Sequence, residues 1–505
     1  KGNWFGGKYS IVEFFDENDG YKCGYCKSKT SAFSQGMWAH CMNTEDYQAL
    51  IDRGWRRSGS YCYKPTMHKT CCPQYTIRCD ANAFKISKSK KKVAKRMRQF
   101  LLNGGKMVFL LFVNCNSFSN STVGMGVATM DKSLKFPPTR IQMTLFYPNR
   151  TGGFRVAHFS NILGTTVSTP LVGADPSKPP CKKAKQIRLE RRKNKLLQQG
   201  MVGNVIIFNV QYHNILPTGK NPKVKCQQQQ QAKSLNEFLP HLDSPVDAKH
   251  GLEVRLVRSS PPSVEFESSK VESHNLYTKY QTTIHKDKRE DCNMKQWMRF
   301  LVDSPLNPGT EGPAHGYGSY HNQYWLDGKL VAVGVVDILP SCVSSVYLYY
   351  DPDYGFLSFG SYSAISEISF VQRLSITHPN IKYYYLGFYI QSCPKMRYKG
   401  AYHPSYLLCP ESYEWVPVEK CEAALKEKPY ARLNVLNDAV DNDGIVTSLN
   451  TVRCLYKHTI ILYGKYKMHR NREGNRTAEN EDPRVREYAQ LVGRSCAERM
   501  LLYRS

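Results

Sequence analysis

The sequence predicts a mixed α/β protein in which a small cysteine-rich domain precedes a larger domain of strands and helices. The 505 residues exceed what one hydrophobic core usually organises, and 41% of them are apolar, which is enough to bury cores. Cysteine, tryptophan, tyrosine and glycine concentrate between residues 20 and 80, whereas strand and helix patterns dominate from about Gly251. We therefore expect three regions: a cysteine-rich domain at 1–100, a variable and basic linker at 101–245, and an α/β domain at 246–505.

Two cysteine pairs characterise the first region. Cys23 and Cys26 form a C-x-x-C motif, and the adjacent Cys71 and Cys72 follow, just before Pro73. Four thiolates suit one zinc ion or an iron–sulfur cluster, and ligand identity alone does not separate the two. The alternative is that Cys71 and Cys72 are core residues, and the substitute ligands are then Cys41, Cys62, Cys79, His40 and His68. An odd total of 17 cysteines fits reduced thiols better than a disulfide scaffold.

A basic helix is expected after the cysteine-rich segment. Residues 85–98 read KISKSKKKVAKRMR, with eight cations and no carboxylate. The whole chain has 70 Lys plus Arg against 42 Asp plus Glu, a formal charge of +28. This imbalance indicates a polyanionic partner, because such a helix can follow a phosphate backbone. A merely solvated face is the alternative.

The linker carries a second basic run, KKAKQIRLERRKNK, which begins at Lys182 and precedes the glutamines Gln227–Gln231. Either basic run also fits a nuclear-import signal. The longest apolar run, Met107 to Val113, is far shorter than a bilayer span, so membrane insertion is not expected. We expect a protein of the cytoplasm and nucleus.

Strand and helix patterns define the carboxyl-terminal region. Its continuous apolar run, Leu330–Val336, predicts a strand that is covered on both faces. The predicted strands are Glu253–Val257, Leu276–Ile284, Lys329–Ile338, Val343–Tyr350 and Lys382–Ile390. The predicted helices are Ser361–Leu374 and Pro483–Leu502.

The block from Gly316 to Gly400 carries the residues best suited to chemistry. Asp337 ends the buried strand, where a carboxylate is costly unless it meets a cation, so it is a candidate to bind a guanidinium or an ammonium. A structural ion pair is the alternative. Gly360 and Ser361 begin a helix whose free amides can hold phosphate or a polarised carbonyl oxygen. The aromatic segment Tyr383–Tyr389 predicts either core packing or a platform for unpaired terminal nucleotides.

Nine motifs are distributed along the chain. They are CGYC, GMWAH, DRGWRRSG, TCCPQYTIR, HNQYWLDGKLVAVGVVDILP, SSVYLYYDPDY, YYLGFYI, CPKMRYKG and CAERMLLYRS. Taken together these motifs are specific, and they resemble the family of eukaryotic arginyl-tRNA:protein transferases. The resemblance covers about residues 21–98, 176–200 and 250–505, whereas residues 101–175 do not match the acidic insert of the family.

This resemblance implies transfer of arginine from arginyl-tRNA to proteins that begin with Asp or Glu, which marks them for ubiquitin-dependent degradation. It implies an acetyltransferase-like (GNAT-like) fold for the carboxyl region, so the expected fold class is α/β (α+β). It also implies metal or cluster binding by Cys23, Cys26, Cys71 and Cys72. A monomer is favoured.

The tRNA ester is already activated, so the acceptor amine can attack once it is deprotonated and aligned, and positioning should dominate the rate. The base is open among His321, a tyrosine and the ribose hydroxyl. We expect Asp337 to hold the guanidinium of the transferred arginine. The expected carbonyl neighbours are Ser344, Ser345 and Tyr347, and the expected substrate-binding residues are Tyr324, Trp325, Tyr385, Tyr389, Lys395, Arg397 and Lys399.

Lys395, Arg397 and Lys399 are expected to bind the acidic side chain of the acceptor, because a guanidinium fork suits a carboxylate. Contact with tRNA phosphates is the alternative for them. Two rival functions remain at this level. An acetyl-CoA-dependent N-acetyltransferase is allowed by the fold, but its Q/R-x-x-G-x-G/A loop is absent, since the helix start reads Ser-Phe-Gly360-Ser-Tyr. A non-catalytic, metal-stapled RNA-binding protein explains the charge but not the buried strand that ends at Asp337.

Overall fold

The computed structural model describes most of the chain outside its central third. The described residues are 8–16, 19–104, 142–148, 154–160, 234–241, 248–308, 312–436, 439–472 and 481–504. Residues 1–106 and 232–505 form one compact unit, and residues 107–231 form another. The basic run at Lys182 and the glutamines Gln227–Gln231 lie outside the described residues.

Seventeen strands lie in the described part of the chain. The first nine are β1 Ile11–Phe15, β2 Ser34–Cys41, β3 Arg56–Ser58, β4 Tyr61–Pro65, β5 Tyr75–Asp80, β6 Gln142–Pro148, β7 Phe154–Ser160, β8 Leu252–Ser260 and β9 Gly318–Leu326. The other eight are β10 Lys329–Leu339, β11 Cys342–Tyr350, β12 Tyr383–Tyr389, β13 Ser405–Leu408, β14 Trp415–Pro417, β15 Arg453–Tyr456, β16 Thr459–Leu462 and β17 Leu501–Arg504.

The α-helices of the described residues range from four to nineteen residues in length. None of them is both long and apolar enough to cross a membrane. They are α1 Thr44–Ile51, α2 Lys88–Asn103, α3 Val264–Tyr280, α4 Met294–Trp297, α5 Phe359–Thr377, α6 Pro394–Arg397, α7 Val418–Glu427, α8 Tyr463–Arg472, α9 Asp482–Val492 and α10 Arg494–Ala497.

Two mixed sheets organise the first unit, and each takes strands from both ends of the sequence. The seven-stranded sheet has the order β16-β15-β17-β1-β2-β4-β3. The eight-stranded sheet has the order β14-β13-β5-β12-β11-β10-β9-β8. The sequence predicts separate domains at residues 1–100 and 246–505. In the structure, strands of these two regions pair within both sheets.

Helices cover both faces of the eight-stranded sheet. The helix α5 packs on one face with α2 beside it, and α3 packs on the other face. Every residue of β10 except Lys329 is buried, which confirms the prediction of a strand covered on both faces. In the second unit, the described strands β6 and β7 form an antiparallel hairpin.

Several predicted elements are confirmed and two are wrong. The strands around Asp337 and the basic helix lie where the sequence predicted them, but Leu276–Ile284 is helical. Ser263 caps α3 by accepting from the backbone of Phe266, and the helix continues through His285 as a π-turn. The final helix is also shorter than predicted. It ends at Gly493, whose φ of 86° favours glycine, and Leu501–Arg504 is a strand.

Candidate functional site

Four cysteine side chains come together near the amino end. The Sγ atoms of Cys23, Cys26, Cys71 and Cys72 all lie within 4.8 Å of one another, and those of Cys26 and Cys71 are 3.4 Å apart. The first pair sits on a tight turn, because the amide of Lys27 donates to the carbonyl of Cys23. The structure confirms that these four residues form a group that could hold a metal ion.

The electrostatics of this group favour a thiolate at Cys23. Burial raises the pKa of that thiol, but backbone amides of Cys26 and Tyr25 outweigh burial and lower the pKa to about 7. The amide of Tyr25 lies 3.4 Å from the Cys23 sulfur. Because the thiolate is the form that binds metal, Cys23 is prepared for ligation.

The cysteine group packs against the segment that follows β12. Cys23 and Cys72 form a small apolar cluster with Ile390, and Cys393 and Met396 pack on it from the start of α6. An ion held by the cysteines would therefore stiffen the chain where it leaves the eight-stranded sheet.

The strands β11 and β12 pair in parallel over only three positions. Their last partners are Ser344 and Tyr385, although both strands continue beyond them. The ladder between β10 and β11 also shifts, so that Val346 is the extra residue of a bulge. Bulges of this kind end pairing and redirect side chains next to functional sites. We call the unpaired continuation, Ser345–Tyr350 of β11 with 386–389 of β12, the open junction.

A buried carboxyl lies on the α5 side of the open junction. Glu367 is only 2% exposed, and the hydroxyl of Tyr384 donates to its Oε2 over 2.5 Å. The side chain of Ser345 lies near this carboxyl and favours its ionised form. Burial raises the pKa of Glu367 to about 7, while the two hydroxyls act in the opposite direction. The carboxyl therefore titrates near neutral pH.

The basic helix α2 contacts the first turn of α5. The ammonium of Lys90 donates to the hydroxyl of Tyr402 over 2.7 Å and to that of Ser361 over 3.3 Å. Burial lowers the pKa of Lys90 to about 8. Arg96 donates to the carbonyl of Phe356 and the hydroxyl of Ser358, each over 2.9 Å. The helix thus has one anchored face and one exposed face, which carries Lys88, Lys91, Lys92 and Lys95.

Comparison with known proteins identifies the family. Family models of the arginine-tRNA-protein transferase N terminus and C terminus match residues 21–92 and 272–409. Arginyl-tRNA–protein transferase 1 of Drosophila melanogaster is 39% identical over 525 residues, which cover 97% of this chain and 99% of the fly protein. The chain belongs to the arginyl-tRNA–protein transferase family.

Two further relatives show how this family similarity is distributed. Arginyl-tRNA–protein transferase 2 of Arabidopsis thaliana is 35% identical, over 82% of this chain and 76% of the plant protein. An aspartate/glutamate leucyltransferase of Campylobacter jejuni is 32% identical over 136 residues, which cover 26% of this chain and 51% of that protein. The two family models include the four cysteines in one range and the open junction in the other.

Within this transferase family member, Asp337 has a guanidinium partner of its own. Its carboxylate accepts from Nη2 of Arg57 over 2.5 Å and from Nε over 2.9 Å, and Ser319 donates over 2.7 Å. Asp337 is fully buried, and Arg57 is 6% exposed. The structure therefore favours the alternative for Asp337, a structural ion pair, over binding of the transferred arginine.

His321 is enclosed on the α3 side of the sheet. Its Nε2 lies 3.0 Å from the carbonyl of Leu301, and the rings of Phe266 and Trp297 pack against it. The side chain is fully buried, and burial lowers its pKa to about 4. Because an enclosed imidazole has no path to an acceptor amine in this arrangement, the geometry favours the other candidates for the base.

The predicted aromatic residues divide between core and surface. Tyr324, Tyr385 and Tyr389 are at most 2% exposed, which supports the packing alternative for them. Trp325 is partly buried near the sheet edge, with the Arg255 guanidinium 4.8 Å from its ring centre. Tyr389 ends β12 within the open junction, and Tyr385 is the last residue of β12 that pairs with β11.

The remaining predicted residues lie at or near the open junction. Ser344 is buried at its apex, Ser345 follows, and the hydroxyl of Tyr347 donates to Gln281 over 2.7 Å. Lys399 donates to the carbonyl of Phe388 over 2.9 Å, and burial lowers its pKa to about 7. The side chains of Lys395 and Arg397 are exposed.

Sequence reasoning missed Glu367, Lys90 and Tyr402. One signal for Glu367 was present, because it is the single carboxylate in the apolar helix segment SAISEISFV. A lone acidic residue between Ile365 and Ile368 falls on a buried helix face. A buried carboxylate without a partner destabilises the fold, so such a residue is a candidate for a functional role. Lys90 gave no such signal, since it is one of eight similar cations.

Proposed function

We propose that the chain transfers arginine from arginyl-tRNA to the amino group of proteins that begin with Asp or Glu. The observation that carries this proposal is the 39% identity to the fly arginyl-tRNA–protein transferase along nearly the whole of both chains. The open junction and the basic helix beside it supply a place for the reaction and a surface for its nucleic-acid substrate. We further propose that arginylation marks these proteins for ubiquitin-dependent degradation in the cytoplasm and nucleus.

The reaction is an aminolysis of the tRNA ester. Because the ester is already activated, the protein needs to align the amine with the carbonyl, remove a proton and stabilise the tetrahedral oxyanion. We assign the aligning role to the open junction, where Ser344 and Ser345 lie at the point at which β11 and β12 part. The exposed Lys395 and Arg397 then receive the acidic side chain of the acceptor.

The exposed face of α2 is proposed to bind tRNA phosphates. Its lysines face away from the core while Lys90 and Arg96 fix the opposite face to the start of α5. This arrangement sets the bound phosphates beside the open junction, where the esterified end of the tRNA must arrive. The exposed ring of Tyr398 can stack on a terminal base of the tRNA.

We propose that the four cysteines hold a single tetrahedral ion, of which zinc is the simplest choice. Four thiolates at about 2.3 Å from one ion stand about 3.8 Å apart, which matches sulfur atoms that all lie within 4.8 Å. An iron–sulfur cluster needs wider spacing, because several irons lie between its ligands. When bound, the ion supplies structural stabilisation to the chain around Ile390.

Mass analysis of reaction products tests the proposed activity. The purified chain is mixed with arginyl-tRNA or with acetyl-CoA, and with otherwise identical peptides that begin with Asp, Glu or Ala. We expect the Asp and Glu peptides to gain one arginine residue and the Ala peptide to remain unchanged. An acetyl gain, or binding of RNA without any change in peptide mass, would overturn the proposal.

A further inference from the structure

The Glu367 carboxyl is connected to the surface of the open junction through one hydroxyl. Ser345 is the first residue of β11 beyond the parallel pairing, and it is partly exposed. Its side chain lies close enough to Glu367 and Tyr384 to favour the ionised form of each, and both of these residues are only 2% exposed. The hydroxyl of Ser345 therefore lies between the junction and a buried acid.

The absence of a side chain at Gly334 leaves space for the Glu367 carboxyl. A Cβ atom on Gly334 of β10 would lie 2.5 Å from Oε1 of Glu367, so a side chain at that position would displace the carboxyl. The pocket thus depends on a glycine in the middle of the strand KLVAVGVVDIL. A buried carboxyl that meets hydroxyls rather than a cation is costly to keep, and such groups concentrate at functional sites.

Four tyrosines in the described part of the chain lie within the electrostatic influence of Glu367. They are Tyr324 of β9 and Tyr384 of β12 in the sheet, and Tyr398 and Tyr402 in the turn after α6, and the charge of Glu367 raises the pKa of each. Lys90 lies beyond Tyr402, to which it donates a hydrogen bond. Within the described residues no cation bonds to the carboxyl, so it is not locked in its ionised form and can both take up and release a proton.

On the basis of the proposed arginine transfer, we infer that Glu367 accepts, through Ser345, the proton that the acceptor's ammonium must lose. The ammonium N–H bond breaks and its proton passes to Oγ of Ser345, whose own proton passes to the Glu367 carboxylate. The freed amine then attacks the ester carbonyl, so that a C–N bond forms and the C–O bond to the ribose breaks. The ribose oxygen takes the second amine proton, and Glu367 later releases its proton to water.

Three residues have separate roles in this proton transfer. Ser345 is the group that meets the substrate, whereas Glu367 acts through Ser345 and does not touch the amine. Tyr384 fixes the carboxyl, because its hydroxyl donates to Oε2. The proposed role also explains why the junction opens at Ser345, since a paired strand at this position would leave no room for the amine.

Single-turnover arginyl transfer to an Asp peptide, measured between about pH 5.5 and 9, tests the inference. We expect Glu367→Gln to lower the rate at pH 7 by about 100-fold or more, which is the usual contribution of general base catalysis. The deficit should shrink toward pH 9, because a free α-amine with a pKa of about 8 then supplies its own neutral form. Binding of arginyl-tRNA should be unchanged.

Matched variants guard against a merely structural effect. Ser345→Ala should give the same pH-dependent deficit, and the double variant should be no slower than either single one, because both remove the same path. Glu427→Gln changes an exposed glutamate of α7 and should follow the unaltered chain at every pH. If Glu367→Gln does not fold, as judged by thermal melting, Ser345→Ala carries the test alone.

Two results would overturn the inference. One is a Glu367→Gln or Ser345→Ala variant whose rate falls by the same factor at every pH, which indicates displaced geometry. The other is a rate like that of the unaltered chain. In both cases the unaltered chain still transfers arginine, so failure of the inference is distinct from failure of the proposed function, in which no variant transfers arginine.

Discussion

Asp337 and Arg57 form an ion pair from which water is excluded. The carboxylate is fully buried and the guanidinium nearly so, with two hydrogen bonds between them and a third from Ser319. Burial lowers the pKa of Arg57, but attraction to Asp337 outweighs it and the net pKa rises. The pair joins β3 of one sheet to β10 of the other, so its role belongs to stability.

Replacing one partner of this pair should destabilise the protein severely. Asp337→Asn leaves the Arg57 charge buried without its counterion, which costs about 3–5 kcal/mol of unfolding free energy. Urea unfolding measures this loss. Asp353→Asn is the control, since that side chain is 68% exposed and its ion pair contributes about 1 kcal/mol or less. An unchanged stability with a raised KM for arginyl-tRNA would instead return Asp337 to the substrate site.

At the residue scale, a site could be predicted when its residues lie in short motifs, and not when they are far apart in the sequence. The cysteine group was predictable, because two short motifs supply all four ligands and thiolate chemistry limits the options. The path from Ser345 to Glu367 was not, because Glu367 meets Tyr384 only when helix α5 lies on the sheet. The sequence also indicated a cation for Asp337 without identifying Arg57, which is 280 positions away.

The helix α2 shows how one element serves two purposes. Lys90, Ala94, Met97, Phe100 and Leu101 form its buried face, and most of its other cations remain exposed. The helix begins with a cap, because Ser87 accepts from the amide of Lys90, and it ends at Gly104. Its basic face is therefore held by packing rather than by contact with acidic residues.

Neutralising this face should weaken tRNA binding without affecting stability. Replacing Lys91, Lys92 and Lys95 together by Ala removes up to three phosphate contacts, so affinity and its dependence on salt should both fall. Filter binding of arginyl-tRNA at several salt concentrations measures both. A control with Lys420, Lys426 and Lys428 replaced has the same loss of charge on an exposed part of the chain. Equal effects of the two triple variants would show that only net charge matters.

At the element scale, strongly patterned segments were predictable and weakly patterned ones were not. The strand β10 and the helix α2 each follow a clear pattern, apolar in one case and basic with an apolar stripe in the other. The segment Leu276–Ile284 contains β-branched residues that favour strands, yet it continues a capped helix whose face packs on β10 and β11. Packing of the whole helix outweighed the local preference.

At the scale of the whole molecule, the group of four cysteines links distant parts of the chain. Its ligands come from residues 23–72, and its apolar surroundings include Ile390, Cys393 and Met396. The seven-stranded sheet takes four strands from the first hundred residues and three from beyond residue 450, and the eight-stranded sheet takes one strand from the first hundred residues and seven from beyond residue 250. Sequence composition could not reveal this sharing, because strand partners separated by hundreds of residues leave no local pattern.

Loss of the ion should therefore affect the whole protein. Cys26→Ser or chelation should remove the metal and lower the melting temperature by about 5 °C or more, because a ligated crosslink between separate segments is lost. Elemental analysis and thermal melting measure the two effects. Cys41→Ser is the matched control, because Cys41 lies outside the group and donates to the carbonyl of Tyr9. A chain that retains its metal after Cys26→Ser would contradict the four-ligand site.

The position of β17 has a consequence for synthesis on the ribosome. This strand, Leu501–Arg504, lies between β1 and β15 and pairs in parallel with both. Until it emerges, β1 has β2 on one side and an unsatisfied edge of backbone donors and acceptors on the other, open to strands of neighbouring chains. The nascent protein must keep that edge protected through the synthesis of almost five hundred residues. A chaperone that shields β-strand edges should therefore raise the yield of folded protein.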